Sequence, residues 1–331
     1  MTPAAERKQA LRFIICLGIV SLFADMTYEG ARSIVGPFLQ DLGATAAQVG
    51  FIAGLGEMVA SSLRYFSGRL ADRTRAYWGL TIFGYCLNVI AVPAMAFAGN
   101  WHMAALLIVA ERTGKSLRGP ARDVLLSEAT GKVGHGRGFG LHAAMDQTGA
   151  VIGPLLMALA VARTQHFAPA FLRLAIPAVC TVIALLTARA LYSESDRTSP
   201  SPIQQQNLPR VFWRYVAAAA MLAFGFVDFA LLAFHFQRTR LVSQPAIPLL
   251  YAGAMGINGL AALFLGRLFD RYGIAILACG TAVSLLSLPL GFLGGASAAV
   301  AGRGLLGYRT GRTGRLPPSR HRACGVNEQT R

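Results

Sequence analysis

The sequence predicts an all-α integral membrane protein: a helical bundle with a six-span N-terminal half, an incomplete C-terminal half and about nine transmembrane helices. Three observations carry that expectation. Apolar residues make up 54% of the 331 residues and charged residues only 14%, against roughly 45–50% and 25% in soluble globular domains. Nine segments are apolar and long enough to cross a hydrocarbon core, for which about 20 residues suffice. Finally, GRLADR at Gly68 to Arg73 returns as GRLFDR at Gly266 to Arg271, 198 residues later, each time where an apolar stretch runs out. That separation is too long for a solenoid repeat and fits a duplicated half-molecule of about six spans, an organisation found among secondary transporters.

The expected spans cover roughly 12–39, 47–66, 77–98, 102–121, 138–161, 168–191, 212–236, 246–266 and 274–295. The fourth carries the weakest signal. Only Met103 to Ala110 is uninterrupted before Glu111, Arg112, Lys115 and Arg118 arrive, so hydropathy alone passes over it. The opening Arg7, Lys8 and Phe13 to Phe23 has the layout of a signal peptide but no small-residue cleavage site, and is read as the first span.

A net charge of +16 invites a nucleic-acid reading, but position decides against it. With the N-terminus placed inside, seventeen of the 31 Lys and Arg fall in the N-terminal arm and inward loops and four in outward loops. Three more, Arg32, Arg64 and Arg112, fall within spans, and seven in the last 30 residues. This is the positive-inside bias of a multi-pass protein of the cell (inner) membrane with a cytoplasmic N-terminus. The expected partners are the lipid bilayer, a small-molecule substrate and protons, with no nucleic acid. Cys16, Cys86, Cys180, Cys279 and Cys324 have no framework spacing, so neither disulfides nor a metal site are expected, nor any cofactor.

From Tyr192 to Arg210 the apolar pattern gives way to Ser, Pro and Gln, which neither pack nor span. Residues 1–191 are therefore read as the first half, 192–210 as a cytoplasmic linker and 211–295 as a partial second half of three spans. The duplicate of the fourth span belongs near 300–319, but Arg303, Arg309, Arg312 and Arg315 with Pro317 and Pro318 stand there. Each Arg costs about 2.5–3.5 kcal/mol at the bilayer centre. Residues 296–331 are either a basic tail on anionic lipid or RNA, or a wrong-frame translation, which the incomplete duplication favours.

Asp72 and Asp270 close the second and eighth spans, where the negative end of the helix dipole disfavours a carboxylate by a few tenths to about 1 kcal/mol. Arg73 and Arg271 follow directly, and Gly68 and Gly266 leave room for a close helix neighbour. A solvated turn with positive-inside arginines is the plain alternative, and the second copy weighs against it. GRLADRTR resembles the cytoplasmic loop signature between spans two and three of the major facilitator superfamily, and GRLFDR its weaker copy between spans eight and nine. The resemblance covers about 12–295 and implies that these Asp and Arg clasp a helix of the opposite half and gate the conformational change. Arg75 stands where the family often places Gly.

ERTGKSLRGPARD on the fourth span resembles the family's Arg-plus-Gly signature, which implies that Arg112 is the buried arginine associated with proton coupling. Ser116 replaces its usual Gly. The embedded GKS is not a phosphate loop, because Val109 stands where Gly is needed. Gly149 to Pro154, GAVIGP, partly matches a motif associated with antiporters; Gly149, Gly153 and Pro154 serve equally well as a packing and kink element.

Acids within spans are the sharper site signal. Asp25 and Glu29 lie on one face of the first span with Tyr28 beside them. Asp228 sits on the seventh, and F-x-D at Phe23 and Phe226 repeats, so symmetry places both aspartates near a shared cavity. An unpaired charged acid there costs about 2.5–3.5 kcal/mol, tolerated where it meets water, substrate or a partner. Such groups can carry protons between sides, or trade them for a cationic substrate. An internal ion pair, for instance Glu29 with Arg32, is the alternative. Glu57 with Arg64 reads as structural, and His142 with Asp146 as a polar pair with a possible coupling role.

The functional expectation is a secondary active transporter of the major facilitator type, driving proton-coupled efflux by alternating access. Importer, facilitator and non-transporting remnant are the other readings. An enzyme is not expected, since no HExxH or nucleophile constellation occurs.

Overall fold

The computed structural model describes residues 3–192, 213 and 228–272, with side chains only as far as 261 in the last stretch. Most of the linker, the first part of the seventh span, the ninth span and the tail lie outside the described residues. Among the described residues there is no strand. The helices are α1 Pro3–Asp41, α2 Ala46–Thr74, α3 Tyr77–Ala94, α4 Trp101–Val133, α5 His135–Thr164, α6 Ala168–Arg173, α7 Ala175–Leu191, α8 Phe229–Thr239 and α9 Ala246–Tyr272.

Local sequence sets the boundaries. Thr45 and Gln48 form a reciprocal capping box at the start of α2. Asn100 caps α4 by accepting from the Met103 amide at 2.9 Å, and Asp228 caps α8 by accepting from Ala230 N at 2.9 Å. Arg75 ends α2 in the left-handed region at φ 55°, which explains why Gly suits that position. The sixth span expected over 168–191 is one apolar segment, Ala168–Leu191, interrupted at Leu174 between α6 and α7. Pro177 has no N–H for the Arg173 carbonyl, so the ladder fails there.

Among the described residues, five segments are long and apolar enough to cross a membrane: Ala4–Asp41, Ala46–Thr74, Tyr77–Phe97, His135–Thr164 and Ala168–Leu191. α4 is not among them, as its run of charges foretold, yet it is a continuous helix of 33 residues. At 1.5 Å per residue that is roughly 50 Å, ample to span. Large apolar side chains such as Phe51, Ile90, Phe97, Ile176 and Ile183 face outward, the surface a lipid solvent requires.

α1 is the axis of the bundle, packed against α4, α5, α7 and α8; α4 packs on α2 and α3, and α9 on α5. Small residues permit the closest crossings. A Cβ at Gly149 or Gly153 of α5 would lie within about 3 Å of the Leu22 or Met26 carbonyl carbon of α1. Gly84 and Gly114 face one another across α3 and α4, each Cβ position 2.6 Å from the other's carbonyl oxygen. The close approach expected at Gly68 is not found there: its nearest neighbour, Pro120, would be 3.7 Å from an added Cβ, an ordinary contact.

Two apolar cores bracket a polar layer. One, at the α1–α2 turn end, gathers Ile34, Phe38, Val49, Met95, Phe171 and Phe234; the other gathers Phe13, Leu17, Trp78, Tyr85, Leu125 and Leu185. Phe234 and Ala230 of α8 belong to the first, so the second half closes over α1 and α2 at that end.

Candidate functional site

Between the two cores, α1, α2, α4, α8 and α9 bring charged side chains together. The i, i+4 spacing of Tyr28 and Arg32 puts both on one face of α1, and Arg32 Nη1 donates to the Tyr28 hydroxyl at 3.0 Å. Arg112 of α4 also donates to the same hydroxyl. Arg32 Nη2 reaches Asp228 Oδ2 at 2.5 Å and Glu57 Oε1 at 3.2 Å. Arg112 lies 3.2 Å from Glu57 and 3.9 Å from Asp228. Two guanidinium groups thus converge on two carboxylates and one phenol.

A second tier lies alongside. Lys115 Nζ is 3.8 Å from Glu29 and 3.2 Å from the centre of the Tyr28 ring, a cation–π contact. Glu29 also accepts from the Tyr251 hydroxyl of α9 at 2.5 Å. Arg118 stacks over Tyr85 at 4.1 Å and approaches Asp25 at 3.9 Å. Glu111, almost fully buried, accepts from Asn88 at 2.7 Å. Further along α1, Ser21 joins His142 at 3.0 Å and Arg122 at 3.2 Å, and His142 pairs with Asp146 at 3.6 Å.

The charges persist in this setting because each has an opposite partner. A lone ion there carries a desolvation penalty of several kcal/mol, which a paired and hydrogen-bonded one offsets. A cavity opens onto the layer, lined by Tyr28, Arg32, Glu111, Arg112 and Asp228 and walled by apolar side chains such as Ile52 and Met95. Polar groups converging in an apolar recess are the usual form of a small-molecule site. Among the described residues no cluster of His, Cys, Asp and Glu is placed to hold a metal ion.

Asp25, Tyr28, Glu29, Arg112 and Asp228 all lie in this layer, and Asp146 lies beside it. Asp228 is not in mid-helix: it is extended at φ −66°, ψ 146°, immediately before α8. Glu29 pairs with Lys115 and Tyr251 instead of Arg32. Glu57 belongs to the site, while its expected companion Arg64 is exposed. Lys115 and Arg118, read above only as charges that interrupt the fourth span, are inside α4 and point into the layer. The missed signal is their spacing: 111, 112, 115, 118 and 122 trace one helix face. Tyr251 carried no signal in sequence.

The residues expected to gate the conformational change lie apart from the layer. Asp72 and Arg73 are exposed at the end of α2. Gly266, Asp270 and Arg271 fall in α9 where side chains are outside the description. Gly149, Gly153 and Pro154 are buried in α5 and pack on α1.

A family model described as Major Facilitator Superfamily matches residues 17–309, running past the ninth expected span. The chain is 40% identical over 311 residues to protein Rv2265 of Mycobacterium tuberculosis (strain ATCC 25618 / H37Rv), covering 91% of this chain and 76% of that one. A shorter stretch of 119 residues is 33% identical to the multidrug resistance protein MdtH of Proteus mirabilis (strain HI4320), covering 36% and 30%. In three dimensions the fold is similar to the nucleoside transporter NupG, with a TM-score of 0.68, 14% identity and coverage of 89% and 78%.

Proposed function

The chain belongs to the major facilitator superfamily, a multi-pass membrane transporter of small molecules and not an enzyme, and we propose that it couples efflux of its substrate to proton entry by alternating access. The carrying observation is the tie from Arg32 and Arg112 of the first half to Asp228 of the second, made at the wall of the cavity. Any rocking of the halves changes this contact, so what titrates or occupies it biases the rocking. Asp25 and Glu29, half-buried and each facing a cation of α4, supply further proton-binding positions. Asp72, Arg73 and their repeat partners Asp270 and Arg271 then act as conformational gates at the ends of α2 and α9.

Outward direction is supported by the partial antiporter motif at Gly149 to Pro154 and by the partial likeness to MdtH, a multidrug resistance protein. An inner-membrane location with a cytoplasmic N-terminus is supported by the distribution of Lys and Arg.

The test is proteoliposomes of the purified chain with a pH dye in the lumen and a panel of small organic solutes outside. Solute entry should move protons the opposite way, and Asp25→Asn should abolish that movement. Proton movement in the same direction as solute would make the protein an importer. Solute flux with no proton movement would reduce it to a facilitator.

A further inference from the structure

Resting on that reading, we propose that the substrate carries an anionic oxygen group, a carboxylate or phosphate, held by Arg32 and Arg112 in the place Asp228 now occupies. In the described structure Asp228 is a built-in stand-in for that group.

Four features point this way. First, the position is already shaped for a carboxylate. Asp228 Oδ2 lies 2.5 Å from Arg32 Nη2 and 3.9 Å from Arg112 Nη2, and the Tyr28 hydroxyl joins both arginines beneath it. Guanidinium forks favour planar, charged acceptors at such a point.

Second, the unmet hydrogen-bonding capacity of the cavity wall is of donor type. Arg32 Nε and Arg112 Nε are buried without a hydrogen-bond partner, the nearest acid to Arg112 Nε being Glu111 Oε2 at 3.7 Å, and Arg112 as a residue is only 8% exposed. The acids nearby are better served: Glu57 Oε1 takes both arginines, and Asp228 uses both its oxygens. A ligand that brings acceptors completes the site; one that brings donors competes with the arginines for acids already engaged.

Third, Asp228 keeps a partner of its own when another anion takes its place on the arginines. Its Oδ1 accepts from the Ala230 amide and caps α8, where the positive end of the helix favours a carboxylate. Released from the arginines, it keeps that partner.

Fourth, the exchange conserves charge. A substrate carboxylate replaces the Asp228 carboxylate against the same two cations, charge for charge; a phosphate would bring at least as much negative charge. Because Asp228 belongs to the second half and the arginines to the first, the exchange also breaks the contact between halves. Substrate entry and release of the tie are then one event.

The test is binding, not flux, so its failure is separable from failure of proton coupling. Purified full-length protein in detergent is titrated with benzoate, phenyl phosphate, benzylamine and benzyl alcohol, which share a ring and differ in head group, and thermal unfolding is followed. Benzoate or phenyl phosphate should bind saturably and stabilise, whichever binds tighter naming the head group, while benzylamine and benzyl alcohol should not. Asp228→Asn removes the internal competitor and should tighten the anion by roughly tenfold. Arg112→Lys, which keeps the charge and loses the fork, should weaken it by a similar factor. Stabilisation by benzylamine, or by none of the four, overturns the proposal, as does unchanged anion affinity in Asp228→Asn.

Discussion

Arg32 and Asp228 are 196 residues apart in the chain and 2.5 Å apart in space, and their contact joins the first half of the bundle to the second. Removing one partner of a buried pair leaves the other uncompensated. Arg32→Gln and Asp228→Asn should therefore each destabilise the protein by about 3 kcal/mol, the lower end for buried pairs because Arg32 keeps some exposure. The double variant should cost less than the two summed, by about 1–3 kcal/mol. Thermal or denaturant unfolding in a fixed detergent checks this, and strict additivity would show that the two side chains are not coupled.

On the proposed mechanism, Asp25 is the position that separates coupling from substrate handling. It is half-buried with Arg118 at 3.9 Å and lies outside the cavity lining around Arg112. Asp25→Asn should keep solute exchange at equal pH on both sides and lose accumulation driven by a pH gradient. Asp228→Asn should lose both, because it also alters the tie between halves. Wild-type accumulation in both variants would remove these acids from the coupling mechanism.

Asp72 is exposed at the end of α2, far from the charged layer in sequence and free of its constraints. A gating role predicts that Asp72→Asn shifts the balance between outward- and inward-open forms. Ala53→Cys, placed on the cavity wall, reports that balance by labelling with a membrane-impermeant maleimide from each side. An unchanged labelling ratio would leave Asp72 as a solvated helix end.

The bundle was legible because lipid imposes long apolar helices, and the charges that break such runs stand out. Asp25, Glu29, Arg112 and Asp228 were visible for that reason. Lys115 and Arg118 were hidden by density: several charges close together read as a weakness of the fourth span, although their 3–4 residue spacing marks a face. Glu57 was assigned to Arg64 by proximity along α2, whereas helix packing turned it toward α1 and α4. Tyr251 could not be found at all, since a tyrosine in an apolar run becomes functional only through the Glu29 that folding sets 2.5 Å away.

Glycine positions should differ sharply in tolerance. At Gly149 and Gly153 an added methyl group meets the α1 backbone, which cannot yield as a flexible side chain can. Gly149→Ala and Gly153→Ala should each cost about 1–3 kcal/mol or more through overpacking. Gly68→Ala, with Pro120 at 3.7 Å, should be close to neutral in the same unfolding assay. Equal losses at all three would mean that helix propensity, not contact with α1, governs them.

Tyr28 offers two interactions that substitution can divide. Its hydroxyl accepts from both Arg32 and Arg112, and its ring lies under Lys115 at 3.2 Å. Tyr28→Phe keeps the ring and strands two buried guanidinium donors, a loss of about 1–3 kcal/mol. Tyr28→Leu should cost a further 0.5–2 kcal/mol or so from the cation–π contact and ring packing. The two changes should also part in function. Without the hydroxyl, the arginines lose the group that orients them toward Asp228, so Tyr28→Phe should weaken anion binding and gradient-driven flux together. Lys115 and Glu29 would still hold the ring side of the layer in that variant. If Tyr28→Phe matched wild type in stability and in anion binding while Tyr28→Leu failed in both, the hydroxyl bridge would be incidental and the ring the working part.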